Sequence, residues 1–231
     1  MIMYLLSTIA ILVYAVLAVL SFINGGLSPR SIFFAIVMVL GGAWVAISAF
    51  MAAGTADAFA DMIRITFTVL TLLYLFMMLF SLTLIRNMSS KQFGLVTAVT
   101  SFMVLTFIVI IWMIPVSKIL TSFEVTTPEW SMGQTVVGYA NFYMIIAQIV
   151  IMSLGLTSIA IQTIAYRAAT GRIKGIIRNT LISVVVFAVF NLVFNLGFAD
   201  LHEMHWIGPL SVLIVGPIFY SSVIKHSDDD L

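Results

Sequence analysis

Seven stretches of almost unbroken apolar residues run along the chain, at roughly 3–23, 31–53, 63–85, 93–114, 136–165, 177–198 and 207–224. About 20 such residues cross some 30 Å of hydrocarbon, so each stretch is long enough to span a bilayer. None alternates with the period of two expected of a membrane barrel strand. Backbone amides in hydrocarbon must be satisfied within their own segment, which makes helices the economical solution. Short polar breaks separate the stretches: Asn24-Gly25-Gly26 with Ser28-Pro29, Gly54-Thr55-Ala56-Asp57, Asn87-Met88-Ser89-Ser90, and Gly171 with Gly175. Such residues punctuate helices. The segment from Pro115 to Gln134 reads as the longest loop. The first stretch lacks a basic leader, and Asn24-Gly25-Gly26 is a poor cleavage site, so it reads as a span rather than a signal peptide. With no internal repeat and no low-complexity tract, residues 1–231 are expected to form one domain. It is an all-α integral membrane protein, a seven-transmembrane helix bundle.

Composition agrees with this pattern. Of the 231 residues 62% are hydrophobic and 8% charged, far from the quarter charged of a soluble domain. A soluble catalytic domain, a disordered chain and a nucleic-acid platform are excluded by the same proportions, and no nucleic-acid partner is expected. Without cysteine there is no disulfide framework and no thiolate ligand or nucleophile. Charge adds orientation. Eight of the ten basic residues (Arg30, Arg86, Lys91, Arg167, Arg172, Lys174, Arg178, Lys225) fall in one set of alternate loops, and Lys118 and Arg64 in the other. The positive-inside rule then predicts an N-terminus outside and a C-terminus in the cytoplasm of a plasma (inner) membrane.

Residues able to carry chemistry are few. His202, Glu203 and His205 offer imidazole and carboxylate ligands, but their spacing fits no standard zinc pattern and reads as a solvated loop. No aspartate lies inside a predicted span, which disfavours both paired-aspartate proteolysis and a carboxylate-coupled pump. Lys225 lies at the membrane boundary, too shallow for a retinal Schiff base. No metal, cofactor or catalytic residue is predicted. The polar groups left inside are neutral. Asn141 and Gln148 sit seven apart on the fifth span, and Asn191 and Asn195 four apart on the sixth, each pair on one helical face. Arg64 enters the third span about one turn in. These residues form either interhelical hydrogen-bond glue or an outward-facing pocket between the third, fifth and sixth spans. Trp112, Trp130 and Trp206 mark the outer boundary, whereas Trp44 and Tyr74 lie within spans and need partners for their polar tips. Gly41-Gly42 with Ala46, and Ala49 with Ala53, suit close helix approach. Gly216-Pro217 should bend the last span.

Three stretches carry a wider likeness. They are Arg64 through Leu72-Leu73-Tyr74-Leu75-Phe76 to Arg86, the basic turn Arg172-Ile173-Lys174-Gly175-Ile176-Ile177-Arg178, and the exit from Gly208-Pro209-Leu210 through Ile218-Phe219-Tyr220 to Ile224-Lys225-His226. In these the chain resembles the seven-transmembrane N-terminal sensor region of bacterial and archaeal histidine kinases. The resemblance implies a module that senses an extracellular or membrane-embedded cue. A kinase would continue into a phosphoacceptor helix and an ATP-binding domain, while this chain ends seven residues after the last predicted span. Output through a protein partner is therefore expected, whether the chain stands alone, was cut before a kinase, or uses the bundle structurally. A non-enzymatic sensor surrounded by membrane lipids is the first functional expectation. A structural or accessory subunit of a larger membrane complex is the second. A small-solute transporter is third, for want of paired broken helices.

Overall fold

The computed structural model describes residues 2–53, 56–85, 88–115, 120–126, 135–140, 142–195 and 211–223. Their order is α1 (Ile2–Gly25), α2 (Pro29–Ala53), α3 (Ala56–Leu82), α4 (Ser90–Met113), β1 (Leu120–Thr126), β2 (Thr135–Ala140), α5 (Phe142–Ala168), α6 (Gly171–Asn195) and α7 (Val212–Val223). Six of these helices, α1 to α6, are long and apolar enough to cross a membrane. The protein is thus helical and multi-pass by length and composition. Of the seventh expected span, 207–224, the described part is the 12-residue α7.

Local chemistry sets the helix ends. Gly26, with φ of 56°, takes the left-handed conformation that closes α1, and its N–H bonds Phe22 O at 3.1 Å. Ser28 caps α2 by accepting from Ser31 N at 3.2 Å. Ser89 and Gln92 form a reciprocal capping box at the start of α4.

Neighbouring helices make a closed circuit: α1 packs on α2, α2 on α3, α3 on α5, α5 on α6, α6 on α7, and α7 returns to α1. α4 stands outside the circuit against α3. Only 11% of its residues are buried, compared with 67% along α3, which is therefore the central post. Aromatic side chains hold α4 to the bundle where it begins. Phe33 of α2 lies 6.2 Å from Phe93 of α4 and 6.1 Å from Phe76 of α3, measured between ring centroids.

Successive helices alternate in direction, so one face of the bundle holds the end of α1, the start of α2, and the α3–α4 and α5–α6 turns. Arg30, Lys91, Arg167, Lys174 and Arg178 lie there, and this face is called the basic end below. The opposite face carries one departure from the sequence reading. The fifth span was expected from residue 136, but α5 begins at Phe142. Residues 135–140 instead pair antiparallel with 120–126, within the expected loop, in a register that sets Phe123 opposite Gly138 and Val125 opposite Val136. Thr135-Val136-Val137 is β-branched, and a short apolar run joined to a long one cannot be divided by periodicity alone. The hairpin folds over the bundle, with β1 against α3 and β2 against α2 and α5.

Candidate functional site: a polar core beneath an aromatic layer

The middle of the bundle is aromatic. Trp44 of α2 is 1% exposed and meets Phe187 of α6 edge-on, with centroids 6.0 Å apart. Tyr74 of α3 also packs on Phe187, at 6.3 Å. Two glycines make room for the rings. A Cβ on Gly41 would lie 2.3 Å from Tyr14 Cε1, and one on Gly155 would lie 2.9 Å from Tyr74 Cε1. Gly41 thus seats Tyr14 of α1 on α2, and Gly155 seats Tyr74 on α5. The close approach expected of Gly41-Gly42 is made with a tyrosine ring.

Below this layer, toward the basic end, the core turns polar. Ser81 of α3, with Ser158 and Gln162 of α5, are wholly buried. The Ser81 hydroxyl donates to Met77 O at 2.8 Å. Its oxygen accepts from Gln162 Nε2 at 2.8 Å and lies 2.6 Å from Ser158 Oγ. Ser158 Oγ also lies 3.4 Å from Met77 O, so one carbonyl serves both serines and either hydroxyl can supply the proton of the Ser81–Ser158 contact. Gln162 Oε1 has no donor among the described residues. The node therefore ties α3 to α5 and leaves one acceptor open. Such a node can hold helices in register or accept a small hydrogen-bond donor. It contains no charged group among its named members, and no His, Asp or Glu cluster able to hold a metal occurs among the described residues.

The expected pocket residues lie apart from this node. Arg64, half-buried near the start of α3, donates from Nη2 to Ile114 O, the cap of α4. A cation there complements the negative end of a helix. One turn on, Trp112 Nε1 donates to Thr68 Oγ1 at 2.9 Å, and the Thr68 hydroxyl donates to Arg64 O at 2.9 Å. Arg64 thus joins α3 to α4 at the hairpin end. Gln148 is half-buried on α5. Asn191 and Asn195 fall in the last two turns of α6, with side chains outside the described residues, as is Asn141 altogether. His202, His205, Trp130, Trp206 and Lys225 are likewise outside them.

Sequence reading passed over Gln162, although a signal was present. Carrying the seven-residue spacing of Asn141 and Gln148 two steps further reaches Gly155, which meets Tyr74, and Gln162, which with Ser158 meets Ser81.

Comparison with protein-family models and with curated proteins finds no match to this chain. Fold and local chemistry therefore carry the functional reading.

Proposed function

We propose that this chain is a non-enzymatic membrane sensor or receptor-like module, with seven spans, its N-terminus outside the plasma membrane and its C-terminus in the cytoplasm. Its output passes through a protein partner. One observation carries this reading: the circuit of helices closes between the first and the last. Asn24, at the end of α1, donates from Nδ2 to the Tyr220 hydroxyl of α7. A rearrangement anywhere in the circuit can thereby reach the last helix just where it leaves the membrane. Pro217, inside α7 one turn before Tyr220, weakens the backbone ladder there and eases bending. The distribution of basic residues supports the orientation, and the resemblance to histidine-kinase sensor regions supports the role. A ligand drives such a module only by binding two bundle states with different affinity.

A second reading, a structural or accessory subunit of a larger membrane complex, is favoured by α4. Leu95, Val99, Phe102, Met103, Val109 and Met113 are all exposed on a helix whose burial is slight. Affinity purification of the full chain from native membranes in mild detergent, with mass spectrometry of co-purifying chains, tests the two. A single effector bearing a cytoplasmic signalling domain supports the sensor. A fixed multi-subunit assembly supports the second reading and removes the first.

A further inference from the structure

Arg30 and Arg64 are half-buried, whereas Lys91, Arg167, Lys174 and Arg178 are exposed. Arg64 has a counterpart, the Ile114 carbonyl at the negative end of α4. Arg30 has the reverse setting. It stands in the first turn of α2, where the positive end of the helix disfavours a cation, and that turn holds no acidic residue. Its Nε is buried without a hydrogen-bond partner among the described residues. The acidic residues described are remote from it. Asp57 and Asp61 open α3 and Glu124 lies in β1, all at the hairpin end.

The stripe that Arg30 continues fixes where it points. Arg30, Phe34, Val37, Gly41 and Trp44 follow one another at spacings of four and three, so they share one face of α2. Phe34 meets Phe80 of α3, Gly41 seats Tyr14 of α1, and Trp44 meets Phe187 of α6. That face is turned into the circuit of helices, and Arg30 is its last residue at the basic end. A half-buried cation without a counter-charge is costly beside apolar packing, and an anion relieves the cost.

We infer that Arg30 forms a binding site for one phosphate group at the basic end of the bundle. The guanidinium presents a planar fork of donors that matches phosphate oxygens bidentately. Lys91, Arg167, Lys174 and Arg178 lie at the same end, and their field raises the local concentration of anions. Arg30 also opens a membrane-crossing segment, the depth at which headgroup phosphates lie. Both a phospholipid headgroup and a free phosphate ion supply this chemistry, and the site stands whether or not the chain signals.

Thermal unfolding of the full chain in a neutral detergent tests the site, with phosphatidylglycerol and inorganic phosphate as separate probes. Phosphatidylcholine, and sodium chloride at matched ionic strength, are the blanks. At least one probe should raise Tm saturably, by on the order of 5 °C at high occupancy. A response to the lipid alone assigns the headgroup as the source, and a response to the free ion assigns soluble phosphate. In either case Arg30→Gln should lose most of the rise, with half-saturation weakened about tenfold or more. Lys91→Gln, at the same end, should keep it. Arg30→Lys retains the charge without the fork and should respond between wild type and Arg30→Gln. Before any probe is added, Arg30→Gln should be at least as stable as wild type, because it removes an unpaired charge. Four results overturn the inference: no rise with either probe, a rise that survives in Arg30→Gln, a rise that Lys91→Gln loses equally, or an Arg30→Gln protein less stable than wild type without probe.

Discussion

Gly41→Ala offers a sharp test of how α1 is seated on α2. Its added methyl would lie 2.3, 2.6 and 2.9 Å from Cε1, Cζ and the hydroxyl oxygen of Tyr14. Carbon atoms in contact sit about 3.5–4 Å apart, so the ring must retreat by more than 1 Å. It has little room, because Tyr14 is 2% exposed within the main core. Overpacking of this kind costs about 1–3 kcal/mol. Alanine regains up to about 1 kcal/mol of helix propensity over glycine. The net loss is therefore about 0–2 kcal/mol, centred near 1. At roughly 2–4 °C per kcal/mol this lowers Tm by a few degrees, measurable by differential scanning fluorimetry on detergent-solubilised protein. Gly94→Ala on α4 is the matched control. A Cβ there meets nothing within 4 Å, so this variant should hold or raise Tm. Combining Gly41→Ala with Tyr14→Leu should cost less than the two single losses added together, since the leucine frees the space the methyl needs. A Gly41→Ala protein as stable as the Gly94→Ala control, with no coupling to position 14, refutes the seating of Tyr14 on Gly41.

The polar node should be more sensitive at Ser81 than at its partners. Ser81→Ala strands the Gln162 amide, while the Ser158 hydroxyl keeps Met77 O as its acceptor, and should cost about 1–3 kcal/mol by equilibrium unfolding. Ser158→Ala removes one interhelical bond, about 0.6 kcal/mol on average in a membrane. Arg64→Ala should loosen the end of α4. A charge-assisted bond discounted for partial exposure is worth about 1 kcal/mol, so amide exchange near Ile114 should quicken roughly fivefold, and exchange unchanged from wild type would remove Arg64 from that joint. Orientation is checked by impermeant thiol labelling of single cysteines at Ser89 and Thr126. Intact cells should label position 126 and spare 89, and the opposite result would invert the proposed topology.

Hydropathy is a one-dimensional signal, and it resolved what depends on one dimension. Six of the expected spans appear as long apolar helices, within a few residues at most ends, because crossing hydrocarbon is a demand on each segment alone. The hairpin escaped, since Thr135–Ala140 adjoins an apolar helix and only pairing with Leu120–Thr126 reveals it as a strand. The position of α4 escaped for a related reason. Its composition matches that of its neighbours, and exclusion from the circuit is a property of how α3 and α5 meet. At the site, Asn141 of the expected pair on α5 lies outside the described residues, and Arg64 reaches from α3 across to the cap of α4. Arginine is long enough to choose among several neighbours, so its partner cannot be read from its position. Ser81 and Ser158 were invisible because serine in a membrane helix usually bonds its own backbone. Only the crossing of α3 with α5 makes them interhelical.

The pairing of α1 with α7 also bears on how the protein is made. Asn24 and Tyr220 are 196 residues apart in the chain. At translation rates of about 5–20 residues per second, the first helix waits roughly 10–40 s for its second neighbour to be synthesised. In that interval α2 is its main neighbour among the described residues, and the side that α7 will cover faces lipid or the insertion machinery. α4, meanwhile, emerges between α3 and α5 and must be set aside before those two can join through Ser81 and Gln162. Biogenesis of this bundle is therefore ordered by displacement as well as by synthesis. Stalled chains ending before residue 211 should hold α1 and α2 as a pair open to capture by other nascent membrane proteins or by insertion chaperones.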